Sequence, residues 1–368
     1  MPKSGPPAVS VPVNQLESEA FRRTDMVSLA VAVRVEVPSG VIRRVAFVPA
    51  IGLAGDMTDE SFHQPVLLRE AVEQLRVRPD GVYVDGTVGD GGHALSLLRA
   101  SAPRGRVLGI DRDPRSLARA IPRLSEFGDR FVPVQGRYSD LSRLAREQWG
   151  PDLRVDGVLL DLGFSSRQVE GAGYGFSFQR DEPLDMRFNP NEDLATAAEI
   201  VNDYAEADLA RILWEFGEES RSRAIARAVA RHRPIETTGQ LAEVVAGAVG
   251  GRQGRRTHPA TRTFQALRIA VNDELASLAA GLAAAVQVLA PAGRLVVISY
   301  HSLEDRLVKN FLAGEAAQCV CPPDLPVCVC QHQPTVRLVN RRIIRPEAAE
   351  VAANPRSRSA RMRVAERL

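Results

Sequence analysis

The chain, 368 residues long, predicts an α/β fold: a parallel sheet covered by helices on both faces and interrupted by an inserted helical subdomain. Three observations carry this. Short apolar runs alternate with amphipathic ones from residue 66 to about 161. A glycine-rich turn, Asp85-Gly-Thr-Val-Gly-Asp-Gly-Gly-His93, joins the first apolar run to the helix after it. The alternation then stops between 171 and 251, where helical periodicity takes over.

Each element follows from local pattern. An amphipathic helix over 66–75 leads to a strand at 81–87. The glycines of the turn feed a helix at 92–99. A second strand at 106–111 is followed by a helix at 114–126 with Pro114 in its first turn. A third strand lies at 131–135, and Ser139-Asp-Leu-Ser opens another helix. The fourth strand, 155–161, is apolar through Val158-Leu-Leu160, as a central parallel strand should be. Helices at 195–202, 205–216, 220–231 and 239–249 make up the insertion. Helices at 261–275 and 278–289 resume the main layer. A fifth strand at 293–299 precedes Ser302-Leu-Glu-Asp305, a capping box opening a helix to 311. Strands at 335–340 and 360–365 close the chain. The division predicted is an N-terminal extension over 1–56, a sheet domain over 57–170 and 257–368, and a helical insertion over 171–256. The extension matches nothing in the rest and is expected to be poorly ordered, or to reflect a start at Met57.

Composition excludes more than it names. Hydrophobic content of 45% and charged content of 25% are those of an ordinary globular chain, and the net charge of +2 does not announce a polyanion partner. The distribution is more informative. Eight arginines fall between 341 and 367, and Arg252, Arg255 and Arg256 form a second cluster. Such asymmetry suits a phosphate backbone on one face, or a solvated surface. No apolar run is long enough for a membrane helix, and no signal peptide pattern is present, so a cytoplasmic protein is expected. All four cysteines cluster as Cys319-Val-Cys321, six residues, then Cys328-Val-Cys330. In a cytosolic chain this reads as metal before disulfide, with zinc the first candidate and free thiols the alternative.

In an open parallel sheet, ligands lie at the carboxyl ends of the strands. The first turn and Asp111, at the tip of the second strand, define a nucleoside-containing cofactor: an acid there accepts both ribose hydroxyls. Gly89-x-Gly91-x-x-Ala94 also fits a dinucleotide pattern. Asp85 favours S-adenosylmethionine, since a carboxylate there would face an amino or sulfonium group and repel a pyrophosphate. The fourth tip, Asp161-Leu-Gly-Phe-Ser-Ser166, and the fifth, Ser299-Tyr-His-Ser302, are the places for an acceptor. A base amine is a poor nucleophile because its lone pair is delocalised. Asp161 would face its N–H groups, and His301 would accept the released proton. The Gly171-to-Phe178 segment, rich in Gly and aromatics, serves either as a stacking platform for a base or as a hydrophobic dock for the insertion.

Eight motifs in order carry a resemblance. They include Asp85 to His93, Gly109-Ile-Asp-Arg-Asp-Pro114, Leu159 to Ser166, Pro183-Leu-Asp-Met-Arg187, His258 to Arg268, Ile298 to Arg306 and Asn354 to Arg361. Over residues 60–368 the chain resembles the bacterial 16S rRNA cytosine-N4 methyltransferases, the RsmH (formerly MraW) family. The resemblance implies a class I S-adenosylmethionine-dependent methyltransferase sheet, Rossmann-like, with a helical insertion for RNA. It implies methylation of N4 of a cytidine in the decoding region of 16S rRNA, on the small ribosomal subunit; the oligomeric state, with a homodimer as the candidate, is not readable from the sequence. It assigns cofactor contacts to Gly91, Gly92, His93, Asp111, Tyr138, Asp161 and Gln168. Tyr138 stands where the family commonly has Phe.

Overall fold

The computed structural model describes residues 65–164, 168–169, 173–250, 258–321 and 327–368. The chain divides into Met1–Met57 and Thr58–Leu368; the expected extension over 1–56 lies outside the described residues, as does the basic cluster at 251–256.

The sheet is built first from β1 (Val82–Asp85), β2 (Arg106–Asp111), β3 (Phe131–Gln135) and β4 (Val155–Asp161). Between them run α2 (Gly92–Ala100), α3 (Pro114–Arg123) and α4 (Leu141–Trp149), preceded by α1 (Leu68–Gln74). β5 (Leu289–Ser299), β6 (Val336–Leu338) and β7 (Arg361–Arg367) complete seven strands in the order β3-β2-β1-β4-β5-β7-β6. β1 to β5 are parallel; β7 runs antiparallel to both β5 and β6. β1 to β5 form the parallel sheet that the alternation predicts, and the antiparallel β7 lies toward one edge. β7 enters between β5 and β6 by a return of the chain rather than by a helical crossover, and period-two alternation is blind to strand direction.

Successive residues of a strand face opposite sides, and the sheet uses both. Val158 and Leu160 pack with Leu141 and Leu144 of α4 on one face, while Leu159 packs with Leu97 and Leu98 of α2 on the other. All three β4 residues are wholly buried. Each buried leucine contributes roughly 1.5–3 kcal/mol. Leu160 also fits against Gly86, where a Cβ would lie 2.5 Å from its Cδ2.

The helical layer comprises α5 (Ala197–Asp203), α6 (Glu206–Glu215), α7 (Ser222–Arg231) and α8 (Thr238–Ala248), and it has its own core. α9 (Thr261–Asn272) supplies Phe264, Leu267 and Val271 to that core, so the layer continues past residue 256, where the sequence reading ended it. α10 (Glu274–Val288) then returns to the sheet through Leu278 and Leu282. α11 (Ser302–Glu315) follows β5, and α12 (Ala348–Ala353), which the sequence reading missed, precedes β7. Among the described residues no single helix is long and apolar enough to cross a membrane.

Candidate active site

The chain places β1, β2 and β3 in succession on one side, then crosses back to set β4 beside β1. Helices leave in opposite directions at that point, which opens a crevice at the carboxyl ends. A cavity of about 820 Å³ lies there, within the roughly 300–1,000 Å³ of small-molecule sites. Its wall includes Gly89, Gly92, His93, Asp111, Tyr138, Asp161 and Gln168. Five predicted cofactor side chains, from four separate tips and loops, therefore meet in one place.

Local geometry explains the first turn. Gly91 is the N-cap of α2 at φ +83°, a left-handed conformation that a Cβ disfavours. Gly91 itself holds the turn while Gly92 and His93 form the wall. Asp111 braces the turn from the next strand: its Oδ2 accepts Gly89 N–H at 2.8 Å and its Oδ1 accepts Asp113 N–H at 2.8 Å. Burial pushes the Asp111 carboxyl up to about 7, against those two N–H bonds. Asp113 caps α3 and also accepts Gln168 Nε2 at 3.0 Å and the Tyr174 hydroxyl at 2.7 Å. Tyr138 presses on α10, where a Cβ at Gly281 would fall 2.5 Å from its ring. Burial raises its phenol far above the usual range.

Asp161 is the junction of the site. Its backbone N–H donates to Thr87 Oγ1 at 2.7 Å, tying β4 to the β1 turn. Its Oδ1 accepts the Tyr300 hydroxyl at 2.8 Å, and its Oδ2 lies 3.4 Å from His93 Nε2. Burial opposes the charge on His93, but Asp161 and then Asp85 outweigh it and hold the imidazole pKa above its ordinary value. After Leu162 the chain turns through Gly163 at φ +94°. That left-handed residue brings Phe164 to the cavity wall, 40% exposed, with the Arg268 guanidinium 4.6 Å from its ring centre. Arg268 is held in turn by a buried two-point ion pair to Glu274, at 2.7 and 2.9 Å. Arg112 reaches from β2 to Glu192 in the helical layer, at 2.7 and 2.6 Å, and Arg137 joins the same carboxylate. These pairs clamp the layer over the crevice.

Three expectations change on contact with the packing. Asp85 is wholly buried behind the turn and does not reach the cavity wall; its Oδ1 accepts Thr87 N–H at 3.2 Å and its Oδ2 has no partner. His301, expected to take a proton, is the N-cap of α11: its Nδ1 accepts Glu304 N–H at 3.4 Å and its Nε2 lies 3.1 Å from Glu304 Oε1. The capping box therefore begins at His301 rather than Ser302, and its neighbour Tyr300 occupies the wall instead. The aromatic segment at 171–178 docks rather than displays: Tyr174 is buried against Asp113, and Phe178 packs on His258 and Phe264. Residues 171 and 172 lie outside the described residues. The sequence pattern gives Arg268 and Glu274 no signal for a place in this wall, and it marks Tyr300 only through its position at the fifth strand tip.

Two expected results follow. His301→Ala should lower stability by about 1 kcal/mol, a lost cap, and leave methyl transfer within twofold, whereas Tyr300→Phe should slow it about tenfold with little change in melting temperature. Paired melting curves and initial rates check both. The second concerns pH. Burial lifts the Asp85 carboxyl from the usual 3.8 to about 6, with His93 opposing. A raised acid favours its protonated form in the fold, so its stabilisation is complete below pH 4 and is lost as pH rises through 6. This is worth about 3 kcal/mol at most. The raised Asp111 and His93 act in the same sense above pH 6. The ligand-free protein should therefore melt higher at pH 6 than at pH 8. Asp85→Asn should change the slope between pH 4 and 6, where this carboxyl titrates, and leave the slope from pH 6 to 8 to Asp111 and His93; an identical slope in the lower window would refute the assignment.

A seven-stranded sheet of this order, with a carboxylate at the second tip and a glycine turn at the first, defines an S-adenosylmethionine-dependent methyltransferase. The residues present fit that cofactor. The cavity spans the first four tips, and the turn brings Gly89 and Gly92 to its wall without a Cβ between backbone and ligand. Residues 60–368 match the family model described as the MraW methylase family, and the chain belongs to that family. It is similar to proteins named ribosomal RNA small subunit methyltransferase H. One, from Dehalococcoides mccartyi, is 52% identical over 307 residues, covering 83% of this chain and 86% of that one. Another, from Thermomicrobium roseum, is 53% identical over 309 residues, covering 83% and 94%. A third, from Heliobacterium mobile, is 47% identical over 313 residues, covering 84% and 100%.

Proposed function

We propose that this chain methylates the exocyclic N4 of a cytidine in 16S rRNA of the small ribosomal subunit. The names of its relatives support an rRNA substrate. The observation that carries the choice of a base amine is Asp161, a carboxylate on the cavity wall steadied by Tyr300 and His93 and followed by a half-exposed aromatic ring. S-adenosylmethionine supplies an electrophilic methyl group on a sulfonium.

The chain's own residues do the rest. Asp111 would accept the ribose hydroxyls, Tyr138 would pack against the adenine, and the α2 N-terminus would receive the methionine end. Asp161 accepts a hydrogen bond from N4–H. That draws the amine lone pair out of conjugation and aims it in line with the methyl, so that N4 gives up one proton to Asp161 as the N–C bond forms and the S–C bond to the departing thioether breaks. Tyr300 keeps the carboxylate from rotating away. Phe164 offers a surface for the flipped base, a contact worth about 1–3 kcal/mol. The exposed Arg356 and Arg358 at the cavity mouth face the phosphate backbone.

The test is nucleoside mass spectrometry of 16S rRNA from cells lacking the gene. N4-methylcytidine should vanish and return with the wild-type gene but not with Asp161→Asn. Unchanged N4-methylcytidine, or loss of a different methylated nucleoside, would exclude this substrate.

A further inference from the structure

The four cysteines lie outside the crevice, between the end of α11 and β6, and the methyltransferase chemistry does not use them. Their Sγ atoms converge: all four lie within 4.8 Å of one another. Cys328 and Cys330 are 3.5 Å apart, and Cys330 and Cys319 are 3.9 Å apart. A disulfide needs about 2.05 Å, and all four cysteines are unpaired thiols. Four sulfurs about 2.3 Å from one tetrahedral ion lie about 3.8 Å from each other, close to the 3.5 and 3.9 Å of these two pairs. An iron–sulfur cluster would set its cysteines on different irons and hold the sulfurs farther apart.

The surroundings agree. Backbone N–H groups point at the sulfurs: Val320 at Cys330 (3.5 Å), Cys321 at Cys319 (3.4 Å) and Val329 at Cys321 (3.4 Å). Such donors stabilise the net negative charge that four thiolates leave around a divalent ion. Among the described residues no local core holds the loop: Val320, Val327 and Val329 are 53%, 71% and 71% exposed. Among the described residues from 318 to 331 no backbone–backbone hydrogen bond closes the segment. Convergence of four thiols without apolar packing or backbone pairing calls for a central ligand.

We propose that Cys319, Cys321, Cys328 and Cys330 bind one zinc(II) ion that closes the loop between α11 and the edge strand β6. The sulfurs bind as thiolates, so any thiol proton is released to solvent as the four Zn–S bonds form. The ion is structural, since four protein ligands leave no open position. His332 stays outside the sulfur cluster.

The full-length chain, purified without chelators, should contain about one zinc per chain by mass spectrometry of the elements. Exchange into cobalt(II) should produce thiolate charge-transfer absorption and the visible bands of a tetrahedral site. Cys319→Ser/Cys328→Ser should drop zinc below about a tenth of an ion per chain. Calorimetric binding of S-adenosylhomocysteine should persist in that variant, showing that it is folded. A metal-free wild-type protein that also gives no tetrahedral cobalt spectrum would overturn the assignment. So would cysteine cross-links found after native alkylation, or iron in place of zinc.

Discussion

Asp161→Asn should lower the single-turnover rate of methyl transfer by about 100- to 1,000-fold while changing cofactor affinity only a few-fold. The substitution keeps shape and one carbonyl oxygen for Tyr300, whose hydroxyl donates to Oδ1 at 2.8 Å. It removes the charge opposite His93, 3.4 Å away, and turns one acceptor into a donor. An acceptor amine that must present N–H to this position then meets N–H in return. The loss should therefore appear in the chemical step. Labelled methyl incorporation into 16S rRNA at saturating cofactor measures it, with calorimetry on S-adenosylhomocysteine as the control. A variant with wild-type rate would show that this carboxylate does not face the nucleophile. A variant that had lost cofactor binding alone would move Asp161 from the reaction to the binding of the donor.

Gly91→Val should abolish measurable cofactor binding, a rise in Kd of about 100-fold or more. Gly91 stands at φ +83°, where a β-branched residue is a strong outlier, and its Cβ would lie 3.0 Å from Leu124 Cδ1. The backbone must then leave this conformation, and it carries with it Gly92 and His93, which form the cavity wall. A stability cost of about 1–2 kcal/mol is expected as well. Circular dichroism and a melting curve separate the two effects. A folded variant that binds S-adenosylhomocysteine as the wild type does would show that the turn is not the cofactor cradle. Gly91→Ala should fall between, since it keeps the strain and loses the branch.

Most of the sheet was legible because each strand carries its own signature. β2, β3 and β4 begin and end where apolar runs and flanking polar residues place them. The same holds for the cofactor half of the site. The glycine turn and Asp111 are local motifs, and their meaning depends only on the strand–turn–helix to which they belong. α12 was missed because a six-residue helix with no buried side chain has no apolar face to recognise. The role given to His301 failed for a related reason. A histidine beside a strand tip is equally a helix cap, and which nitrogen has a partner is set by Glu304 only after α11 has formed.

What sequence alone determined about this protein is the set of residues at the strand tips, the family they resemble and the cofactor they imply, because these follow from short-range order and from motif identity. Tertiary structure decided which of them share a cavity. It buried Asp85 behind the turn, brought Tyr300 rather than His301 to Asp161, and set Arg268, Glu274 and Phe164 into the same wall from elements far apart in the chain. It also reversed β7 and gathered four sulfurs around one point. The physical reason is common to all of these. Periodicity reports which face of an element is apolar, whereas partners, direction and distance arise only when separate faces pack together and each buried polar atom takes whichever neighbour packing leaves within reach.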